Sequence, residues 1–217
     1  TTRVRDRALD IARAMIEDES WLADASFVAI PPQGNPNMVG TTPLAGFPRH
    51  GSSYGLLTTG DAELADDPDT SESSGANISG PNFRGNTDFD VTVLKVDLNV
   101  PAEMNCVSVN FRFLSEEFEE FVDTEFNDAF IAEVDTSTWT TSDSTISAPN
   151  NFAFDPEGSP ITINAAGFTS MTEAHAAGTT YDGATPLLSA SKPIGAGAHS
   201  VYLSIFDQGD HVWDSAV

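Results

Sequence analysis

Alternation of apolar and polar residues is the most regular feature of the chain. The segments 93–100 and 106–113 each place an apolar residue at every second position. This period of two predicts β-strands with one buried face. Shorter apolar runs at 128–134, 159–164 and 199–206 predict three more strands.

A different period governs the start of the chain. Within RDRALDIARAMIEDES, apolar residues recur at helical spacing, as in Leu9, Ala12 and Ile16, and charged residues occupy the other positions. The pattern predicts one amphipathic helix over about residues 5–20, and we expect it to be the only long helix.

Two long segments rich in Gly, Pro, Asn and Ser, at 31–51 and 60–86, predict loops. Loops of this length are uncommon in compact domains and are often functional. The period-two runs, the many turn residues and the lack of alternating strands and helices favour a mainly β fold. We expect a single domain over 1–217: an antiparallel β-sandwich or jelly roll with one N-terminal amphipathic helix.

Composition adds a strong charge to this picture. The chain has 9 Lys and Arg against 33 Asp and Glu, a formal net charge of −24. A nucleic acid or an anionic membrane surface would be repelled, so cations are the expected counter-partners. No apolar run is long enough to predict membrane insertion. Cys106 is the only cysteine, which excludes an intrachain disulfide, and its place in an apolar strand pattern predicts a buried side chain.

Acidic residues concentrate in FLSEEFEEFVDTEFNDAF, residues 113–130, which joins two predicted strands. A second acidic group follows the strand 199–206. If both strand ends lie on one rim of the sandwich, their carboxylates converge and repel unless a cation neutralises them. Carboxylate and amide oxygens are the ligands that Ca²⁺ prefers, although the spacing is not that of an EF-hand. The predicted calcium ligands are Glu116, Glu117, Asn127, Asp128, Asp207, Asp210 and Asp214; the alternative is a solvated acidic face.

These motifs resemble those of the choice-of-anchor L family. The resemblance rests on Ser-Glu-Glu-Phe at 115–118 and Phe-Asn-Asp at 126–128, with GLLTTGDA at 55–62, GNTDFD at 85–90 and the closing VYLSIFDQGDHVWDSAV. It implies a secreted, β-rich domain of prokaryotic cell-surface proteins, in a family whose biochemical activity is poorly defined. The family's acidic motif positions fall on the same seven predicted ligands. Four other acids lie in the variable spacer, where we expect solvent exposure: Glu119, Glu120, Asp123 and Glu125.

The chain departs from the family pattern in two places. Residues 131–139 are more polar than the corresponding family strand, and the sequence stops at Val217 where the family pattern continues into a further apolar strand. We therefore expect a truncated C-terminal strand. An arbitrary boundary, a processing site and a strand donated by another chain all remain open, and an unpaired edge there would invite strand addition.

Three functions are compatible with these features. The favoured one is an extracellular adhesion, ligand-binding or structural module, stabilised by calcium, whose partner is a surface peptide or glycan. The second is a subunit of a surface filament or layer that self-associates through an exposed strand edge. The third is a glycoside hydrolase using Glu116 or Glu117 with Asp128 or Asp207; no other catalytic motif supports an enzyme, and the four histidines are scattered.

Overall fold

The described part of the chain holds thirteen strand segments, which pair antiparallel, three α-helices and two short 3₁₀ helices. The structure is a computed structural model that describes residues 2–70 and 77–217. The strands are β1 (Leu22–Ala29), β2 (Asn37–Gly40), β3 (Tyr54–Leu57), β4 (Asp88–Val100), β5 (Cys106–Phe111), β6 (Leu114–Ser115), β7 (Ala129–Val134), β8 (Thr140–Ser142), β9 (Thr145–Ser147), β10 (Gly183–Ala184), β11 (Leu188–Pro193), β12 (Gly197–Gln208) and β13 (Ser215–Ala216). The helices are α1 (Thr2–Met15), α2 (Ile163–Thr169) and α3 (Glu173–Ala176). The predicted mainly β, antiparallel fold class is confirmed.

A four-stranded sheet in the order β1–β4–β12–β7 forms the first layer. Its long central strands pair antiparallel, with Val96 opposite Val201 and Leu94 opposite Leu203. These four side chains are buried in the main core together with side chains from β3, β5 and β11. The alternation read from segment 93–100 therefore identifies the face that packs inward.

The second layer is assembled from shorter pieces. They are the hairpin β2–β3, the ladder β10–β6–β13 and the pair β5–β11. Leu57 at the end of β3 and Val217 exchange backbone hydrogen bonds of 2.9 and 2.8 Å, which joins the hairpin to the ladder. β2 lies inside the segment 31–51, so the prediction of one continuous loop there was wrong.

The outer face of the first sheet is also covered. Trp139 stacks on Phe206 with ring centroids 4.2 Å apart, and both side chains are buried with Val93 and Ile131. The indole N–H of Trp139 donates to the Ser204 hydroxyl at 2.9 Å. Burial on both faces explains why β4 and β12 are apolar over longer runs than simple alternation requires.

α1 packs on β1 and β3 through the buried residues Ala8, Ile11 and Ala12. The helical spacing was predicted correctly, but the predicted end at residue 20 was wrong, because α1 ends at Met15. Asp18 accepts a hydrogen bond from the Ser20 amide and caps a separate 3₁₀ turn, which redirects the chain into β1. None of the helices in the described residues is long and apolar enough to cross a membrane.

The strand predicted at 159–164 was wrong. Only isolated bridges form there, from Pro160 and Thr162, and α2 begins at Ile163. The amide of Ile163 donates to the Asp128 carbonyl at 3.1 Å, and the amide of Asn164 donates to Asn127 Oδ1 at 2.8 Å. These tertiary hydrogen bonds satisfy the first amides of the helix, which local apolar character could not reveal.

Cys106 is exposed, so the prediction of a buried thiol was wrong. In β5, the half-buried residues are Val107 and Val109, and the exposed set is Cys106, Ser108 and Asn110. The cysteine thus follows the outward phase of the alternation. Within the second predicted loop, residues 71–76 lie outside the described residues.

Candidate metal centre

Five acidic residues meet where four strands begin or end. Glu116 and Glu117 follow β6, Asp128 precedes β7, Asp207 lies near the end of β12, and Asp214 precedes β13. The Glu116 amide donates to the Asp214 carbonyl at 3.1 Å, and the Asp128 amide donates to Glu117 Oε2 at 3.2 Å. We call these five residues the acidic cluster.

The acidic cluster is buried, as are Asp88, Asp90 and Glu133 elsewhere in this charged molecule. Each of the five residues is at most 2% exposed. Among the described residues, no Lys, Arg or His lies within ion-pair distance of Glu117, Asp128 or Asp207. Buried carboxylates without a basic partner are costly when ionised, so a proton or a cation must compensate them.

Hydroxyl groups supply part of the compensation around Asp128. Ser215 Oγ donates to Asp128 Oδ2 at 2.6 Å, and the hydroxyls of Ser215 and Ser115 are 2.8 Å apart. The Gln208 amide donates to Asp128 Oδ1 at 3.2 Å, and the Glu117 amide donates to Ser115 Oγ at 3.0 Å. Both oxygens of Asp128 are therefore satisfied by neutral donors.

Asp207 has no such support. Both of its carboxylate oxygens are buried, and neither accepts a hydrogen bond of acceptable geometry from the described residues. Burial raises the pKa of Asp207 well above its ordinary value, and the charges of Asp128 and Asp214 raise it further. The Thr59 hydroxyl lies close enough to lower this pKa in part, although it does not form a well-aligned hydrogen bond with the carboxylate.

The neighbouring acids are perturbed in the same direction. Burial raises the pKa of Glu117 well above its ordinary value, and the Asp128 carboxylate adds to the effect. Burial also raises the pKa of Asp128 to about 7, against the lowering effect of the Ser215 hydroxyl. Without a cation, part of the acidic cluster thus holds protons near neutral pH.

In two of the predicted ligands, a side-chain oxygen already accepts a hydrogen bond from a backbone amide. Asn127 Oδ1 accepts from the Asn164 amide at the start of α2. Asp210 is half-exposed, and its Oδ1 accepts from the Val212 amide at 2.9 Å. Its negative charge still raises the pKa of both Glu117 and Asp128, so it lies close to the acidic cluster.

Residues that were not predicted as ligands complete the surroundings. Thr59 Oγ1 accepts from the Ser215 amide at 2.9 Å, and Thr58 Oγ1 donates to the Ser215 carbonyl at 2.9 Å. The buried Tyr181 hydroxyl is 3.4 Å from Thr58 Oγ1. A Cβ atom at Gly60 would lie 1.7 Å from Asp214 Oδ2, so only glycine fits beside that carboxylate. The segment GLLTTGDA, noted only as a family motif, was the signal that could have located Thr58, Thr59 and Gly60; no sequence signal pointed to Tyr181.

The turn between β6 and β7 presents its acids in two directions. The spacer residues Glu119, Glu120, Asp123 and Glu125 are all exposed, as expected. Phe118 packs against the main core, and Phe121 contacts the Trp213 ring with centroids 4.6 Å apart. These aromatic anchors hold the turn so that Glu116 and Glu117 face inward while the spacer faces solvent.

The chemistry of the acidic cluster fits a hard cation, since carboxylates and hydroxyls are typical oxygen ligands of Ca²⁺. In the part of the chain that the structure describes, however, no three His, Cys, Asp or Glu side chains are arranged so that they could hold a metal ion as they stand. Binding an ion therefore requires the carboxylates to rotate toward a common point. The two oxygens of Asp207 accept no well-aligned hydrogen bond, although a side-chain hydrogen bond with Asp128 raises the pKa of Asp207 and lowers that of Asp128, so a cation would replace a proton shared by these two acids.

Comparison with known proteins places the chain in a family. Residues 46–217, which include the whole acidic cluster, match the family model described as Choice-of-anchor L domain. No curated protein and no solved structure matches the chain. The chain belongs to the choice-of-anchor L family, a family of surface-associated domains and not a known enzyme family.

Proposed function

We propose that this choice-of-anchor L domain is an extracellular adhesion or structural module in which a calcium ion, bound by the acidic cluster, fixes the rim of the sandwich. The ion would join segments that are distant in sequence, since the acidic cluster draws on the turn after β6 and on the C-terminal strands. Ligand-binding loops on that rim would then be ordered by the same ion.

The observation that carries this proposal is the state of Asp207. A carboxylate that is 1% exposed, with two unsatisfied oxygens and with acids as its neighbours, needs an electrostatic partner. A divalent cation can neutralise several carboxylates at once, whereas a shared proton neutralises only one. The ligands of the ion would come from Asp207, Asp128, Glu117, Glu116 and Asp214.

Burial favours this role over glycoside hydrolysis. A glycosidase needs its acid and its base on opposite sides of a bound sugar, with access for the polysaccharide. Glu116, Glu117, Asp128 and Asp207 are all at most 2% exposed, so a sugar ring could not reach between them in this conformation. Their placement suits a structural ion better than a substrate.

The proposal is tested by thermal unfolding of the wild-type chain in excess CaCl₂ and in excess EGTA. At a free calcium concentration about 100 times the dissociation constant, binding adds about 2.7 kcal/mol to the free energy of unfolding. In a domain of this size, this corresponds to an increase in Tm of about 5–11 °C.

The variant Asp207→Asn sharpens the test. We expect it to lose most of the calcium-dependent increase in Tm. In EGTA near neutral pH it should unfold at a higher temperature than wild type, because the amide is neutral without the proton uptake that the raised pKa of Asp207 imposes on folding. Asp67→Asn, a change at an exposed acid of the loop after β3, is the matched control and should keep the wild-type response. Equal Tm values for wild type in calcium and in EGTA would refute the proposal.

A further inference from the structure

One tripeptide in the long segment before β4 has the sequence of an acceptor for N-linked sugar. Asn77, Ile78 and Ser79 form Asn-X-Ser with a residue other than proline in the middle. No other asparagine of the chain is followed by Ser or Thr two positions later. The tripeptide lies within the residues that match the family of surface-associated domains. A tripeptide of this kind accepts a sugar only where its asparagine is accessible.

Exposure alternates along this segment. Asn77 and Ser79 are exposed, whereas Ile78 between them is buried. The next residue, Gly80, is also buried, and its amide donates to the Asp90 carboxylate of β4. Ile78 and Gly80 therefore anchor the segment to the body of the domain, while both polar side chains of the motif stay accessible to solvent.

Hydrogen bonds within the motif hold the asparagine by its side-chain oxygen. The Ser79 amide donates to Asn77 Oδ1 at 3.0 Å, and the Ser79 hydroxyl donates to the same oxygen at 2.7 Å. Asn77 Nδ2 donates no hydrogen bond within the described ranges 2–70 and 77–217. The nitrogen that would carry a sugar is thus the free end of an exposed side chain whose other end is fixed.

The backbone at Ser79 favours a different residue. Its φ of +52° lies in the left-handed region, which is unfavourable for a residue with a Cβ atom and is adopted most readily by glycine. A turn that served only to direct the backbone would therefore be better made with glycine. Serine supplies a hydroxyl instead, and this hydroxyl donates to Asn77, the residue that the motif pairs with it.

We propose that Asn77 is the attachment site of an N-linked glycan, and that the Ser79 hydroxyl is required for its transfer. The donor is a sugar carried on a lipid phosphate. A bond forms between Asn77 Nδ2 and the anomeric carbon of the sugar, and the bond between that carbon and the phosphate oxygen of the donor breaks. The lipid phosphate leaves, and the proton lost from Nδ2 passes to a base of the transferase.

The transfer involves no oxidation or reduction, and it places a bulky, polar group on the surface of the segment before β4. This site is independent of the calcium proposal, because Asn77 and Ser79 are not part of the acidic cluster.

The test is peptide mapping by tandem mass spectrometry of the protein isolated from the cells that naturally produce it. We expect the peptide that contains Asn77 to carry added sugar mass, and fragmentation to place that mass on the Asn77 side chain. Asn77→Gln, produced in the same cells, should lose the added mass completely, because the chain has no second Asn-X-Ser or Asn-X-Thr. Asn105→Gln, a change at an exposed asparagine outside the motif, is the matched control and should keep it.

Substitutions at Ser79 separate a sugar acceptor from a simple turn. Ser79→Gly suits the left-handed backbone and should preserve the fold, but it should lose the glycan because the hydroxyl is gone. Ser79→Thr keeps the hydroxyl and should retain the glycan, although its β-branched side chain is disfavoured at this φ. Circular dichroism and thermal unfolding report whether each variant is folded.

Three results would overturn the proposal. The first is an Asn77 peptide without sugar in the protein from its natural source. The second is a sugar that persists on Asn77 in Ser79→Gly, because the hydroxyl would then play no part in the transfer. The third is a sugar that persists in Asn77→Gln, because its attachment would then be to another residue.

Discussion

Raising the pH should destabilise this protein when divalent cations are removed. The pKa of Asp128 is about 7 in the folded chain, against an ordinary value of 3.8. The folded state therefore binds more protons than the unfolded state between these values, so the free energy of unfolding falls as pH rises through this window. For Asp128 alone the total loss is about 4 kcal/mol, of which about 3 kcal/mol falls between pH 5 and pH 8.

Urea unfolding in excess EDTA, followed by tryptophan fluorescence, measures this effect at pH 5 and pH 8. Other carboxylates also contribute to the pH dependence, so the informative quantity is the difference between wild type and Asp128→Asn. We expect the variant to lose less free energy than wild type over this range, by about 3 kcal/mol from Asp128 itself and by a further amount because the Asp128 charge no longer raises the pKa of Asp207 and Glu117. The amide oxygen can still accept from the Gln208 amide, whereas the NH2 group replaces the oxygen that accepted from Ser215 and must instead donate to the Ser215 hydroxyl.

Calcium should act most strongly at the alkaline end of the range. It binds the ionised carboxylates, so the stabilisation by calcium should be larger at pH 8 than at pH 5. Asp67→Asn serves again as the exposed control and should follow wild type. If wild type and Asp128→Asn lost the same free energy between pH 5 and pH 8, the assignment of a raised pKa to Asp128 would be refuted.

Two further predictions concern the packing. The exposed thiol of Cys106 should react with a thiol-specific reagent as fast in the folded protein as in the protein unfolded in urea. A rate that is lower by orders of magnitude in the folded protein would contradict the exposure of Cys106. Phe130→Ala should lower the free energy of unfolding by about 3–5 kcal/mol, because the Phe130 side chain is 1% exposed and its ring centroid lies 4.9 Å from that of Phe111. Calorimetric unfolding measures this loss. A loss below about 1 kcal/mol would contradict the packing of Phe130 in the core.

The elements that could be predicted from sequence are those whose pattern is local. The inward faces of β4, β5 and β12 follow from their period-two residues, whereas the burial of Val93 and Phe206 on the outer face of β4 and β12 does not. α2 could not be predicted, because its first amides are satisfied by Asn127 and Asp128, residues more than thirty positions earlier in the chain. The burial of Cys106 was predicted wrongly, because the prediction relied on the apolar character of cysteine and not on its position in β5, where it alternates with Val107 and Val109 and shares the exposed face with Ser108 and Asn110.

The acidic cluster was predictable in part because its residues adjoin strands that the local pattern predicts. Glu116, Glu117, Asp128, Asp207 and Asp214 all adjoin strand ends, and antiparallel strands bring such ends together on one rim. Thr58 and Thr59 were not predicted as neighbours, because their contact with Ser215 spans more than 150 positions and depends on how the β2–β3 hairpin docks. Asn127 and Asp210 carry suitable oxygens, but nearby backbone amides already use one oxygen of each.

A crystal structure determined in excess CaCl₂ tests the central claim most directly. The account predicts one ion within the acidic cluster, with about six to eight oxygen ligands at about 2.3–2.6 Å that include Asp207. Anomalous scattering would identify the ion as calcium. Clear density for the Asp207 carboxylate with no ion beside it, and with an Asp128 oxygen at hydrogen-bonding distance, would contradict the account and assign the neutralising role to a shared proton.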